Sequence, residues 1–175
     1  MKLKFIILIF IFVLINPLQA LPAPAKWARP QCIKTYVPPK HKHTKLMKEA
    51  FEKWSKASGN KIKFYYVHTP KIAQIRVEFY ELNPYDEWNV GTQDSYIRRT
   101  KKLRSHIYIA STTYDGEKLS KDELFGIMLH EIGHCLGLQH TRNKLSIMHP
   151  TRNKNQKIAQ TDVDRLKMLY NIKTR

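Results

Sequence analysis

The residues with the clearest chemical potential lie at 130–140, which read H-E-I-G-H-C-L-G-L-Q-H. His130 and His134 are four residues apart, so on a helix their imidazoles lie on one face, one turn apart. Gly137 permits a positive φ, which lets the chain turn back and bring His140 to the same point. Three imidazoles with an open fourth position are typical of a catalytic zinc ion, so we expect one Zn²⁺ here.

The residue after the first histidine predicts the reaction. Zinc held by three neutral imidazoles keeps its full charge and lowers the pKa of bound water towards neutrality. We expect Glu131 to be the general base that takes a proton from this water and passes it to the leaving amine. The same zinc would stabilise the oxyanion formed at a peptide carbonyl. The motif therefore predicts a zinc-dependent endopeptidase that acts on polypeptide.

A methionine follows this motif at a short distance. Met148 lies in the run S-I-M-H-P, eight residues after His140. This combination resembles the metzincins, in which a methionine turn lies beneath the metal. The short interval is similar to that of the matrixins, the matrix metalloproteinase family, whereas astacins place a longer insert there.

Other segments are also similar to a matrixin catalytic domain, from about residue 26 to 171. They are Lys26-Trp27, A-F-E-K-W at 50–54, A-Q-I-R-V-E-F at 73–79 and T-D-V-D-R-L-K-M-L-Y at 161–170. The resemblance implies an α+β, metzincin-like (zincin-like) fold: a twisted mixed sheet of about five strands, a first helix, an active-site helix and a C-terminal helix. It implies that an antiparallel edge strand binds substrate by strand addition. It also implies that Ile127, His149 and Pro150 line the S1′ pocket.

Hydrophobic periodicity and capping signals place the elements that must carry these residues. Alternation predicts strands at 33–37, 62–66, 75–79 and 107–109, while the polar stretch 92–102 has no clear assignment. A helix is predicted from Thr44 as N-cap to Gly59, with an apolar face of Met47, Ala50, Phe51 and Trp54. Ser120 and Glu123 form a capping box that opens the motif helix, which should end near Leu136. A last helix should begin at Thr161 and Asp162.

The first residues indicate a secretory signal peptide at 1–20, with cleavage possible as late as residue 25. Lys2 and Lys4 precede an apolar run from Phe5 to Ile15, which is too short for a membrane anchor, and no later stretch could span a membrane. We therefore expect a secreted, extracellular, monomeric protein whose residues 26–175 form one metallopeptidase domain. The interval before Lys26 is too short for the pro-domain that matrixins usually carry, so we expect none.

The charge is strongly basic: 31 Lys and Arg against 14 Asp and Glu give a formal net charge of +17. This excess favours anionic surfaces. The basic residues are scattered and no DNA- or RNA-recognition motif accompanies them, so we expect no specific nucleic-acid partner.

Several residues depart from the matrixin pattern or stay open. Cys32 and Cys135 could pair in a secreted protein or remain as thiols, and Cys32 is not expected to block the zinc as a switch. His106 matches one structural-zinc ligand but stands alone, so a structural zinc or calcium ion is doubtful. His149 replaces a common aromatic residue, and it could narrow or polarise the pocket or face solvent.

Two other functions fit the same residues. One is a zinc amidase that acts on cell-wall peptide, and the other is a non-catalytic cationic binder that keeps zinc for folding alone.

Overall fold

The computed structural model describes residues 26–83, 91–97, 103–151 and 157–173, and for 92–97 it describes the backbone alone. The predicted signal peptide and its cleavage site lie outside these residues. The elements in chain order are β1 Ile33–Tyr36, α1 Thr44–Ala57, β2 Phe64–Tyr66, a 3₁₀ turn Pro70–Ile72, β3 Ile75–Tyr80, β4 Gly91–Ile97, β5 Leu103–Ala110, α2 Lys121–Cys135 and α3 Gln160–Leu169.

The strands form one five-stranded mixed sheet in the order β2-β1-β3-β5-β4. All neighbouring pairs are parallel except β4 and β5, so β4 is an antiparallel edge strand. This architecture confirms the α+β, metzincin-like fold. The sequence analysis did not predict β4, because T-Q-D-S at 92–95 shows no apolar alternation. An edge strand can consist of polar residues, so hydrophobic periodicity does not detect it.

Helices α1 and α2 pack on one face of the sheet and form the core with it. Alternate residues of the central strands, such as Ile75, Val77 and Ile107, are completely buried. Trp54 of α1 is also fully buried, and its indole Nε1 donates a hydrogen bond to the Leu129 carbonyl of α2 at 2.9 Å. The amphipathic face predicted for α1 is thus confirmed, and it fixes the position of α2 over the sheet.

The start of α1 differs from the prediction. His43 is the N-cap and caps with no side-chain hydrogen bond, while Thr44 is the first helical residue. The Thr44 hydroxyl instead donates to the carbonyl of His41 at 2.7 Å. Thr44 thus closes the turn before the helix. The other end is as predicted, because Gly59 has φ 65° and directly follows the C-cap.

The motif helix begins and ends where its sequence predicts. The Ser120 hydroxyl accepts the Glu123 amide and the Glu123 carboxylate accepts the Ser120 amide, which completes the capping box. The helix ends at Cys135, and Gly137 has φ 91°. This left-handed residue turns the chain back across the end of α2.

The N-terminal segment closes the fold at the end of α2. Trp27 is buried, and its indole Nε1 donates to the Cys135 carbonyl at 2.8 Å. The Trp27 amide donates to the Tyr170 hydroxyl at 3.3 Å, which ties this segment to the residue that follows α3. Within the described ranges no helix has both the length and the apolar character needed to cross a membrane.

Candidate metal centre

Three imidazoles converge at the C-terminal half of α2. The Nε2 atoms of His130 and His134 are 3.0 Å apart, and His140 Nε2 lies 3.1 Å from each of them. The helix supplies the first two rings, one turn apart, and the turn at Gly137 delivers the third. The structure therefore brings together the three residues that the motif predicts as ligands.

Backbone carbonyls fix the orientation of the two helical rings. His130 Nδ1 lies 2.7 Å from the Ile147 carbonyl oxygen, and His134 Nδ1 lies 2.8 Å from that of Leu138. A carbonyl oxygen can only accept, so in each neutral ring Nδ1 carries the hydrogen and Nε2 keeps its lone pair. Both lone pairs are thus directed at the common point.

This donor set fits a zinc ion. Desolvation by burial lowers the pKa of all three histidines, and it lowers that of His134 to about 4, so the rings are neutral near pH 7. Neutral nitrogens about 3.1 Å apart can all lie about 2.1 Å from one point, the usual Zn–N distance. In the part of the chain that the structure describes, this is the one group of three or more such side chains that could hold a metal.

Glu131 is buried on the same helix, with 6% of its surface exposed. Burial raises the pKa of its carboxyl group to about 8 in the absence of metal. The carboxyl group lies against the start of β4, because a Cβ atom added at Gly91 would come within 2.8 Å of Glu131 Oε1. The same Cβ atom would lie 2.5 Å from Ile127 Cγ2. Only glycine lets the edge strand approach α2 this closely, a requirement that the sequence did not reveal.

Met148 packs beneath this part of α2. It is completely buried, and a Cβ atom at Gly133 would lie 2.3 Å from its Sδ atom. Gly133 lies between the two helical histidines, so its missing side chain leaves the space that Met148 fills. The role of Met148 in a methionine turn stays a prediction.

Asp162 supports the turn that carries Met148, a role that the sequence analysis missed. It is completely buried, and its carboxylate accepts the Ile147 amide at 2.9 Å and the hydroxyl of Ser146. The Ile147 carbonyl in turn accepts His130 Nδ1. A run of hydrogen bonds thus connects α3 to a predicted metal ligand. The sequence signal was only that of an ordinary helix start, because Asp162 also accepts the Ala159 amide at 3.1 Å.

The residues predicted to line the S1′ pocket come from two parts of the chain, α2 and the segment after Met148. Ile127 is half-buried under the start of β4. His149 is half-buried, and its Nδ1 atom lies 2.8 Å from the Thr151 hydroxyl, while Pro150 is exposed. Desolvation by burial, and to a smaller extent charge repulsion from His149, lower the pKa of His140.

The two cysteines are unpaired. Cys32 is exposed and directly precedes β1, whereas Cys135 is buried and its Sγ atom lies 2.9 Å from Ser105 Oγ. The disulfide alternative is therefore wrong for this structure. Cys32 is also not a member of the cluster that could hold a metal. His106 lies on β5 with its Nδ1 atom 3.0 Å from the Tyr108 hydroxyl.

Comparison with known proteins agrees with this fold and site. The family model described as Matrixin matches residues 32–171, so the chain belongs to the matrixin family, which consists of zinc-dependent metalloendopeptidases.

Individual relatives carry matching names. The chain is 31% identical over 114 residues to the "Probable matrix metalloproteinase 095L" of Invertebrate iridescent virus 3. The aligned region covers 61% of the chain and 31% of that protein. It is 27% identical over 138 residues to the "Putative matrix metalloproteinase" of Trichoplusia ni ascovirus 2c, or 69% of the chain and 27% of that protein. A match to "Stromelysin-2" of Rattus norvegicus is 39% identical over 56 residues, 29% of the chain and 12% of that protein. The chain spans less than a third of the length of these relatives.

Proposed function

We propose that this chain is a secreted endopeptidase that hydrolyses extended polypeptides, with His130, His134 and His140 as ligands of one zinc ion and Glu131 as general base. The observation that carries the proposal is the convergence of three imidazole Nε2 atoms to within 3.1 Å on the helix that also carries a buried glutamate. Membership of the matrixin family supports the same chemistry.

Each protein group has a defined part in the reaction. When bound, zinc supplies Lewis acidity, which polarises a carbonyl and makes water a nucleophile at neutral pH. Glu131 accepts one proton of the attacking water as the new C–O bond forms, and it then delivers that proton to the amine nitrogen as the C–N bond breaks. The products are a carboxylic acid and an amine, and Glu131 returns to its starting state.

The burial of Glu131 suits this role only when a cation is near. Without metal, desolvation raises the pKa of its carboxyl group to about 8, which leaves it mostly protonated at pH 7. A nearby divalent cation favours the carboxylate form and lowers that pKa. Binding of zinc would thus convert Glu131 to the carboxylate form that a general base requires.

The edge strand β4 is the proposed substrate-binding surface. One side of β4 pairs with β5 and the other is a sheet edge, which can add an extended peptide as a further strand. Gly91 allows this strand to lie directly against Ile127 and Glu131. A peptide on β4 would then pass close to the general base. We place Ile127, His149 and Pro150 along the S1′ pocket.

The location is also part of the proposal. The signal sequence at 1–20 predicts export, and the net charge of +15 that remains once Lys2 and Lys4 are removed from the +17 favours anionic surfaces outside the cell.

The substitution Glu131→Gln tests the role of the carboxyl group. It keeps the size of the side chain and removes the base, so we expect kcat for a denatured protein such as casein to fall by a factor of about 10² to 10⁴. Zinc content, measured by elemental analysis, should stay near one ion per chain. Glu117→Gln is a matched control, because Glu117 is exposed on a turn before α2.

Three results would contradict the proposal. Full activity of the Glu131→Gln variant would remove the general base. Activity on peptidoglycan fragments, without cleavage of any polypeptide, would indicate a cell-wall amidase. Failure of the zinc-loaded protein to cut any member of a broad peptide library would indicate a non-catalytic zinc-containing binder.

A further inference from the structure

A basic cavity of about 380 Å³ lies at the start of β3 and β5. Lys71, Arg76, Arg104 and His106 contribute to its walls. None of the described residues that line it is acidic. Three permanent positive charges in one concavity favour an anionic ligand.

The fold assembles these groups from three elements. The 3₁₀ turn before β3 supplies Lys71, and the parallel register places Arg76 of β3 beside His106 of β5. Ile75 and Ile107, the neighbours of these two residues along the strands, are buried in the core against the helices. Since side chains alternate across a sheet, Arg76 and His106 lie on the face opposite α1 and α2.

One acidic residue lies next to the cavity. Arg76 Nε is 2.7 Å from Glu78 Oε1, and the two side chains are 42% and 22% exposed. The contact is an ion pair, but it lacks the geometry of a hydrogen bond at Nε. It orients the guanidinium group and leaves N–H donors of Arg76 for a ligand. With Glu78 counted, the charges of Lys71, Arg76 and Arg104 still leave a positive excess.

We propose that this cavity binds sulfate groups of a sulfated polysaccharide. Guanidinium groups bind tetrahedral oxyanions in a bidentate manner, and the lysine adds a point charge. The volume exceeds that of a single sulfate group, so the cavity can also accept part of the sugar to which the group is attached.

The lining favours a polysaccharide over a nucleic acid. Proteins that bind single-stranded nucleic acid stack its bases on aromatic side chains, and no Phe, Tyr or Trp is among the described residues that line the cavity. Duplex DNA is read by an element that enters a groove, whereas this site is concave. A sulfated sugar has no bases to stack, so a lining with charged groups and no aromatic side chain suits it better than a single-stranded nucleic acid.

The site is independent of the proposed peptidase activity. The sheet separates Arg76 and His106 from the helices that carry the histidine cluster, so a polysaccharide can bind while β4 stays open to a peptide. The proposal thus adds an anchoring surface to the molecule, and its test does not need catalysis.

The experiment measures binding of a labelled heparin-derived oligosaccharide by fluorescence anisotropy. The triple variant Lys71→Ala, Arg76→Gln, Arg104→Gln should raise Kd about tenfold and flatten its dependence on salt, because three ionic contacts are lost. The control variant Lys53→Ala, Lys61→Ala, Lys63→Ala removes the same charge at exposed positions and should change Kd less than about twofold.

A second variant, Lys71→Ala with Arg104→Gln, keeps the Arg76–Glu78 pair and guards against a folding defect.

Other outcomes would overturn the proposal. Equal losses in the two triple variants would show that net charge alone binds the oligosaccharide. Unchanged binding of a desulfated oligosaccharide would exclude sulfate recognition. Tighter binding of a charge-matched oligonucleotide, lost in the same cavity variant, would assign the site to nucleic acid. An unchanged Kd in both cavity variants would show that the polysaccharide binds elsewhere.

Discussion

Single atoms decide whether the three histidines can act together. The carbonyl oxygens of Ile147 and Leu138 accept hydrogen bonds from the Nδ1 atoms of His130 and His134. These bonds leave both Nε2 lone pairs facing the site, and such outer hydrogen bonds typically change metal affinity by about 10 to 100-fold. The backbone at Leu138 and Ile147 is therefore part of the candidate metal centre.

The substitution Gly91→Ala tests the close contact between β4 and α2. The added Cβ atom would meet Ile127 Cγ2 at 2.5 Å and Glu131 Oε1 at 2.8 Å, so β4 must shift or the glutamate must move. We expect unfolding free energy to fall by about 1 to 3 kcal/mol and kcat/KM to fall by about tenfold or more, measured by urea unfolding and peptide hydrolysis.

Gly116→Ala is the control for this substitution. Gly116 has φ 85° and no atom near the added Cβ, so the change costs about 1 to 2 kcal/mol of backbone strain and leaves kcat/KM unchanged. Normal peptidase activity of Gly91→Ala would show that the spacing between β4 and α2 does not matter for catalysis.

At the scale of elements, α3 supports the metal centre from outside it. The Asp162 carboxylate accepts the Ile147 amide and the Ser146 hydroxyl, and the Ile147 carbonyl accepts His130 Nδ1. A helix that contributes no proposed ligand thus fixes the position of one.

The substitution Asp162→Asn should therefore weaken both the fold and the zinc site. It replaces a buried acceptor of three hydrogen bonds with an amide, for an expected loss of about 2 to 3 kcal/mol in unfolding free energy. Zinc affinity, measured by competition with a chelating dye, should fall about tenfold or more. Asp164→Asn is the control, because Asp164 is exposed and accepts only from Gln160 Nε2 among the described contacts. Equal zinc affinity of the Asp162→Asn and Asp164→Asn variants would show that the hydrogen bonds of Asp162 do not support the zinc site.

The elements also show what sequence could and could not predict. The helix with the histidines, its Ser120 cap and its end at Gly137 were predictable because each depends on local residues. Strand β4 was not, because its position depends on pairing with β5 and contact with α2. Asp162 was likewise recognisable only as a helix start, since its contacts to 146 and 147 are tertiary.

At the scale of the whole molecule, the burial of His134 adds a contribution to the stability of the metal-free fold that acid removes. Burial and the neighbouring His130 lower the pKa of His134 from 6.5 to about 4. The unfolded chain thus binds a proton more readily than the folded chain between these two values. The contribution of His134 to stability is fully present above about pH 6.5 and is lost as pH falls towards 4.

The expected size of this effect is at most about 3 kcal/mol from His134. Urea unfolding of the metal-free wild type and of the metal-free His134→Gln variant between pH 7.5 and pH 4 measures it, because the variant lacks this acid-dependent loss. His68→Gln changes an exposed histidine and should leave the curve unaltered. Protonation of Glu131, whose pKa burial raises to about 8, stabilises the metal-free fold as pH falls over the same range, so the His134 effect is read as the difference between the wild type and His134→Gln. An equal pH response of the His134→Gln and His68→Gln variants would contradict the assignment.

The most direct test of the account is a zinc titration of the metal-free protein by calorimetry, with each of His130, His134 and His140 replaced in turn by alanine. The account predicts one tightly bound zinc ion per wild-type chain and an affinity lower by at least about 100-fold in every variant, because each loses one of three ligands. Unchanged zinc affinity in the His140→Ala variant would contradict it, since the three nitrogens would then not share one ion.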